Sequence, residues 1–167
     1  FKADPSEYVA EGLRAKEING VWQIVNAYEL QDEADLFWLA NEVNVKGNTF
    51  AGKTFTLMNN ITLTKTWTPI GDGTEKNLRA AFDGNYKTIS KMKIEGTEYV
   101  GFFGSKEAGD VTNLYIDQAT ISGTHYAGGI IGWMHNVAEV GHNAVLNVKG
   151  CKVTNSNITL DTDATPD

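Results

Sequence analysis

Hydrophobic residues recur along this chain in short blocks. Ile89-Ser90-Lys91-Met92-Lys93-Ile94, Val111-Thr112-Asn113-Leu114-Tyr115-Ile116 and Val148-Lys149-Gly150-Cys151-Lys152-Val153 carry apolar side chains at the same three places. The last two copies share a trailing isoleucine, Ile121 and Ile158, five residues further on. Each block ends in apolar–polar–apolar alternation, the mark of a strand with one buried face. One such strand cannot bury its apolar side alone, but copies stacked on one another can. The repeat therefore predicts four inward columns: Ile89/Val111/Val148, Met92/Leu114/Cys151, Ile94/Ile116/Val153 and Ile121/Ile158. The copies start at positions 89, 111 and 148, so the second interval is the longer. Much of the difference lies after the second strand cluster, where Gly132 to Val148 is more than twice as long as Gly104 to Val111. Insertions confined to loops between repeated strands suit a mainly β chain coiled as a parallel β-helix, a solenoid. An antiparallel sandwich of short strands is the competing architecture.

Ahead of the repeats, residues 1–20 are mixed and acidic, with a weak apolar segment at 8–10 and no firm element. Residues 21–25 read as a strand, and Tyr28-Glu29-Leu30 as a shorter one. Asp32 is a good N-cap, and Ala34, Leu36, Phe37, Leu39, Ala40 and Val43 follow at helical spacing. The helix should run over about 32–45 and stop near Gly47. Its expected task is to cap the first coil, whose core would otherwise face water. Residues 55–58 and 61–63 read as strands joined at Asn59-Asn60, and Asp83-Gly84-Asn85 as a tight turn after a short strand at 81–82. Trp133 to Asn147 reads as the main protruding loop. The expectation is one domain over 1–167: cap strand and helix at about 21–46, coils at about 50–160, and a frayed or truncated end at 161–167.

Composition narrows the partners more than the fold. The chain is 41% hydrophobic, enough for a core, and its 17 glycines against 3 prolines suit many turns. A formal net charge of −7 disfavours nucleic acid and anionic membrane surfaces. No apolar run reaches transmembrane length. The single cysteine, Cys151, falls in an apolar column and reads as a small buried hydrophobe. A start at Phe1-Lys2-Ala3 without methionine is what removal of a signal peptide or leader would leave, which fits an extracellular or cell-surface location.

Several segments taken together resemble the GLUG-motif repeat proteins. They are Trp67-Thr68-Pro69-Ile70-Gly71, Phe82-Asp83-Gly84-Asn85, the block 89–94, Tyr99-Val100-Gly101-Phe102-Phe103-Gly104, Ala127-Gly128-Gly129-Ile130-Ile131-Gly132, and the helix at 36–44. The resemblance covers roughly residues 21–160. It implies a right-handed β-helix on a bacterial surface or secreted protein of the adhesin-like kind, with possible neighbours in further repeats of a longer chain. It implies binding or display and brings no catalytic residues.

The candidate chemistry is correspondingly thin. Polysaccharide lyases and hydrolases built on β-helices need paired carboxylates, and Asp72, Asp83, Asp110 and Asp117 are the candidates. No two share a column in the predicted register. His125, His135 and His142 match no metal signature, and the glycine-rich blocks lack the Lys-Ser/Thr ending of a phosphate cradle, so neither metal nor cofactor is expected. Tyr99 and Tyr126 hold the same repeat position and should stack in adjacent coils, and Trp133 opens the long loop next to Tyr126. Aromatic faces exposed in a row bind sugar rings, although core or turn packing is the competing use. The expected site is Tyr99, Tyr126, Trp133, His135 and His142. The expected function is non-enzymatic adhesion or glycan binding, with a host or environmental glycan or a surface protein as partner. The alternatives are a polysaccharide-acting enzyme, betrayed by an acidic pair in a groove, and a structural spacer, betrayed by neither groove nor exposed aromatics.

Overall fold

The computed structural model describes residues 11–96, 98–134 and 146–161. They open on an antiparallel hairpin, β1 (Leu13–Ile18) and β2 (Val21–Asn26), paired from Leu13 opposite Asn26 to Ile18 opposite Val21. Its turn is Asn19-Gly20, with φ of 51° and 78°. Two consecutive positive φ values give the turn the twist of its flanking strands, and Asn-Gly tolerates them best. The apolar pattern predicts no element over residues 11–20. β1 forms there because the turn specifies it, while its own alternation is blurred by Arg14, Lys16 and Glu17. The weak apolar segment at 8–10 lies outside the described residues.

Helix α1 (Glu33–Asn44) forms where its spacing predicts. The Asp32 side chain accepts a hydrogen bond from the Asp35 amide at 3.0 Å, and Glu33 and Asp35 in the first turn oppose the positive end of the helix dipole. At the other end Gly47 adopts φ 73°, and its amide donates to Val43 O at 3.1 Å. Leu36, Leu39, Ala40 and Val43 are buried in the same core cluster as Phe55, Leu57 and Ile61. The helix thus packs into the same buried core as the strands that follow it.

From residue 29 onward the strands pair in parallel, each with a strand one tier further along the chain. One sheet contains Glu29–Leu30, Thr54–Leu57, Ala81–Asp83, Val111–Thr112 and Val148–Lys149 in that order. A second contains Ile61–Thr62, Thr88–Ser90, Tyr115–Asp117 and Lys152–Thr154. A third contains Lys93–Glu95, Thr120–Gly123 and Asn157–Leu160. Two small sheets pair Tyr99–Val100 with Tyr126–Ala127, and Phe103–Lys106 with Ile131–Met134. The chain is therefore mainly β, with parallel sheets.

The register corrects the first member of three predicted columns. Val111 pairs with Val148, Ile116 with Val153, and Ile121 with Ile158, as the repeat predicts. Leu114 and Cys151 also fall side by side, since the adjacent Tyr115 and Lys152 pair. The block 89–94, however, is displaced by one strand. Ile89 pairs with Ile116 and Ile94 with Ile121, while Val111 meets Phe82 in the tier before it. Met92 lies beside Ala119, not Leu114: its carbonyl accepts the Thr120 amide at 2.8 Å. One tier thus runs from 89 to 116, or from 94 to 121, and is longer than the 89-to-111 interval of the pattern. The step into the last tier, 116 to 153, is longer again.

The inward columns pack as buried apolar contact, with Phe55, Phe82, Ile89, Val111, Ile116 and Ile121 at 0–1% exposure. Between the sheets, Trp67 stacks on Phe102 with ring centroids 5.0 Å apart, and its indole nitrogen donates to Phe102 O at 3.0 Å. Lys106 is fully buried, and its ammonium donates to the carbonyls of Leu78 (2.9 Å), Ala80 (2.7 Å) and Ala108 (2.7 Å). Burial pushes its pKa down to about 7, against the opposing charge of Asp110. The last tier is packed on one side only among the described residues, and Val148, Val153 and Ile158 are 40–42% exposed.

Candidate functional site

The stacking register puts Tyr126 directly beside Tyr99 of the preceding tier. Their rings lie 5.3 Å apart at an interplanar angle of 8°. Phe103 pairs with Ile131, which sets Trp133 opposite Ser105 within the strand Ile131–Met134. Trp133 is therefore a strand residue, and the surplus chain begins only after Met134. Its ring stacks at 4.9 Å on Tyr99 and 5.8 Å on Tyr126. Three near-parallel rings so close to one another form a cluster, not a linear row. Tyr126 is exposed, and Tyr99 and Trp133 are half-buried.

Parallel rings this close can only be offset-stacked, because rings lying edge to edge in one plane would collide at such a separation. The faces are therefore turned partly toward one another, and the cluster offers solvent its ring edges, the tyrosine hydroxyls and the remaining uncovered parts of the faces. Below Tyr99 the main chain of Gly73 approaches so closely that a Cβ there would overlap the ring. In the tier register Ile70 pairs with Phe103, so Gly73 lies past that pair and reaches the Tyr99 ring from the loop that follows. The Tyr99 hydroxyl bonds to Glu98, and partial desolvation, then the Glu98 charge, pushes its pKa up. A shallow groove of about 390 Å³ runs beside the cluster, between Tyr99 and Glu98 on one side and Asn44, Thr68, Pro69 and Asp72 on the other.

The other expected residues separate. His125 is exposed beside Tyr126, with its Nδ1 at 2.9 Å from the Thr124 hydroxyl. His135 and His142 lie outside the described residues. The acidic candidates serve turns and tier contacts. Asp72 accepts from the Thr74 amide and hydroxyl, and Asp83 from the Asn85 amide at 2.8 Å. Asp110 accepts from the Asn147 amide and side chain at 2.9 and 3.0 Å, and Asp117 from Thr154 Oγ1 at 2.7 Å and Asn155 Nδ2 at 2.9 Å. These bonds hold the Asp110 and Asp117 carboxyls below their ordinary pKa. Cys151 is half-buried, its thiol pushed up by burial. Among the described residues no group of three or more His, Cys, Asp or Glu could hold a metal ion, and no helix is long and apolar enough to cross a membrane.

Pattern reading finds the three aromatic residues and misses what frames them. Glu98 and Asp72 carry no repeat signal, since each occurs in one tier only. Gly73 carries none either, because it lies in the loop after Ile70, which pairs with Phe103. No family model, no curated protein and no solved structure matches the chain.

Proposed function

We propose that this chain is a non-enzymatic carbohydrate-binding module of a bacterial surface or secreted protein, coiled as a right-handed parallel β-helix with an N-terminal capping helix. The supporting observation is the surface cluster of Tyr99, Tyr126 and Trp133 beside a groove edged by Glu98 and Asp72. Sugar rings combine apolar C–H faces with hydroxyl rims. Aromatic surface next to carboxylates, which accept hydrogen bonds, meets both parts of that chemistry. The parallel register, repeated from tier to tier, supports the β-helix, and the helix packed over the first tier supports its capping role. Handedness, bacterial origin and surface location rest on the resemblance to GLUG-motif repeat proteins. The polysaccharide-enzyme reading has no comparable support, because the four candidate aspartates are each engaged in turns or tier contacts.

A glycan array probed with the wild-type chain, Trp133→Ala and Tyr126→Ala tests the reading. Binding by the wild type that both variants lose, with melting unchanged, is the expected result. No glycan retained by the wild type, or binding that survives both substitutions, removes the site and leaves a structural spacer.

A further inference from the structure

A large cleft lies at the opposite end from the last tier, between the β1–β2 hairpin, the C-terminal half of α1 and the loop at 47–53. It encloses about 840 Å³, within the ~300–1,000 Å³ typical of ligand sites. It shares no residue with the Tyr99 cluster or its groove. We propose that this cleft is a second, independent binding site, and that its ligand is a short neutral oligosaccharide.

The walls are aromatic. Trp22, Tyr28, Trp38 and Phe50 all line the cleft. Trp38 is braced by the Arg14 guanidinium, 4.4 Å over its ring, and by Phe50 at 6.1 Å. Phe50 is held at φ 50°, a left-handed conformation that a bulky residue rarely adopts, and its ring is wedged edge-on against Phe55 at 5.1 Å. Such strain persists only where the surroundings enforce it, so this wall is rigid before any ligand arrives. Trp22 is different. It is 37% exposed, and among the described residues its ring stacks on no other and its indole nitrogen has no hydrogen-bond partner. An open indole facing a cleft whose other rings are fixed is a stacking platform with a spare donor.

The charges select against ions. Each cation among the described lining residues is already matched: Lys46 with Glu42 at 2.6 Å, Lys53 with Glu11 at 2.7 Å, and Arg14 with Asp35. Among the described lining residues no unmatched charge remains to reward an acidic or basic ligand for losing its water. The matched groups still carry spare hydrogen-bonding capacity, because each ammonium has three donors and its partner occupies one. Asn48 joins this set, donating to Glu42. An extended peptide is the poorer fit: it needs main-chain partners, and the amides of Gly47, Asn48 and Lys53 on the floor already donate to Val43, Glu42 and Phe50. A purely apolar ligand would strip water from the paired charges without replacing its bonds. A neutral sugar chain supplies C–H faces for the rings and hydroxyls for the spare donors and acceptors.

The test is an NMR titration of the whole chain, labelled with ¹⁵N, against cello-, xylo-, manno- and maltohexaose. The expected result is saturable shifts of the Trp22 and Trp38 indole signals and of the amides at 47–50 with at least one of the four. The same shifts should occur in Tyr126→Ala protein, which separates this cleft from the Tyr99 cluster. Trp22→Ala, at an exposed position, should weaken binding about tenfold with unchanged melting, as loss of one stacking ring predicts. The proposal is overturned if none of the four moves these signals, or if the only shifts are at Tyr99, Tyr126 and Trp133. It is equally overturned if Trp22→Ala binds like the wild type, or if an oligogalacturonate or a polyproline peptide moves the cleft signals more strongly than any neutral sugar.

Discussion

At the scale of single residues, the most consequential side chain is one the hydrophobic pattern could not identify. Lys106 sits in a strand with Phe103, Gly104 and Ser105, all buried. A lysine in such a run reads as the exposed end of a strand. Its burial follows from three main-chain carbonyls that converge where the loop at 71–80 returns to the tiers. An ammonium has three donors, so it satisfies all three at once. Lys106→Met keeps the volume but orphans the carbonyls, each at ~1–3 kcal/mol, so a drop in stability of several kcal/mol is expected in chemical denaturation. The pH dependence has a definite sign. In the unfolded chain Lys106 should titrate near its ordinary ~10.4, whereas in the fold burial holds it at about 7. Between those values the unfolded state binds the extra proton, so stability rises with pH across that window and is flat, as far as this group is concerned, below it. Melting curves from pH 6 to 10 should show that rise in the wild type and lack it in Lys106→Met. An equal rise in both proteins would assign it to other groups.

At the scale of elements, the repeat itself shows where hydrophobic pattern stops determining register. Helix α1 was legible because three signals coincided: an N-cap, apolar spacing and a terminal glycine. The columns of the last two tiers were legible because their blocks match without insertion. The block 89–94 was misassigned because a spacing of five recurs within one tier: Val111, Ile116 and Ile121 each enter a separate strand of the same tier. A block therefore matches its neighbour in the same tier nearly as well as its counterpart in the next. What separates the strands is backbone geometry. Lys91, Gln118 and Asn155 lie two residues after the paired Ile89, Ile116 and Val153, and all have positive φ (60°, 56°, 49°). This left-handed corner turns the chain from the second sheet into the third. It is a property of φ that Lys, Gln and Asn share no obvious chemistry to announce. Left-handed backbone costs a residue with a Cβ ~1–2 kcal/mol, and a β-branched side chain is the worst placed. Gln118 is exposed, so its side chain adds little packing to the balance. Gln118→Gly should hold or raise the melting temperature, and Gln118→Val should lower it. The reverse order would mean that the corner is not what sets the register.

At the scale of the whole molecule, burial falls off at the last tier among the described residues, and what holds that tier has an electrostatic component. Helix α1 shares the core of the first tier, and the middle tiers bury their columns almost completely. The last tier, entered after the longest step between tiers, has its core-type valines and isoleucine nearly half exposed. With so little apolar area removed from water, the remaining attachments count for more. Main-chain ladders hold all three of its strands. Two carboxylates of the tier before add side-chain tethers: Asp110 to Asn147, and Asp117 to Thr154 and Asn155. Both titrate below their ordinary value because those bonds favour the charged form. A carboxylate with a depressed folded pKa contributes stability that is complete above its unfolded pKa, ~3.9 for Asp, and is lost as pH falls through the folded value. Acid should therefore loosen this tier before the rest. Amide exchange at 148–160 is expected to rise, relative to 88–95 and 111–122, as pH is lowered from 5 toward 3. The double variant Asp110→Asn, Asp117→Asn should show the faster relative exchange already at pH 5 and change little on acidification, since an amide cannot supply the charge-assisted bonds at any pH. Uniform acceleration across all tiers would place the acid sensitivity in the common core instead. The exposure of the last tier bears on binding: the Tyr99–Tyr126–Trp133 cluster spans the two tiers just before it, while the hairpin–helix cleft sits beside α1. Mild acid that frees the last tier should therefore disturb the first site before the second.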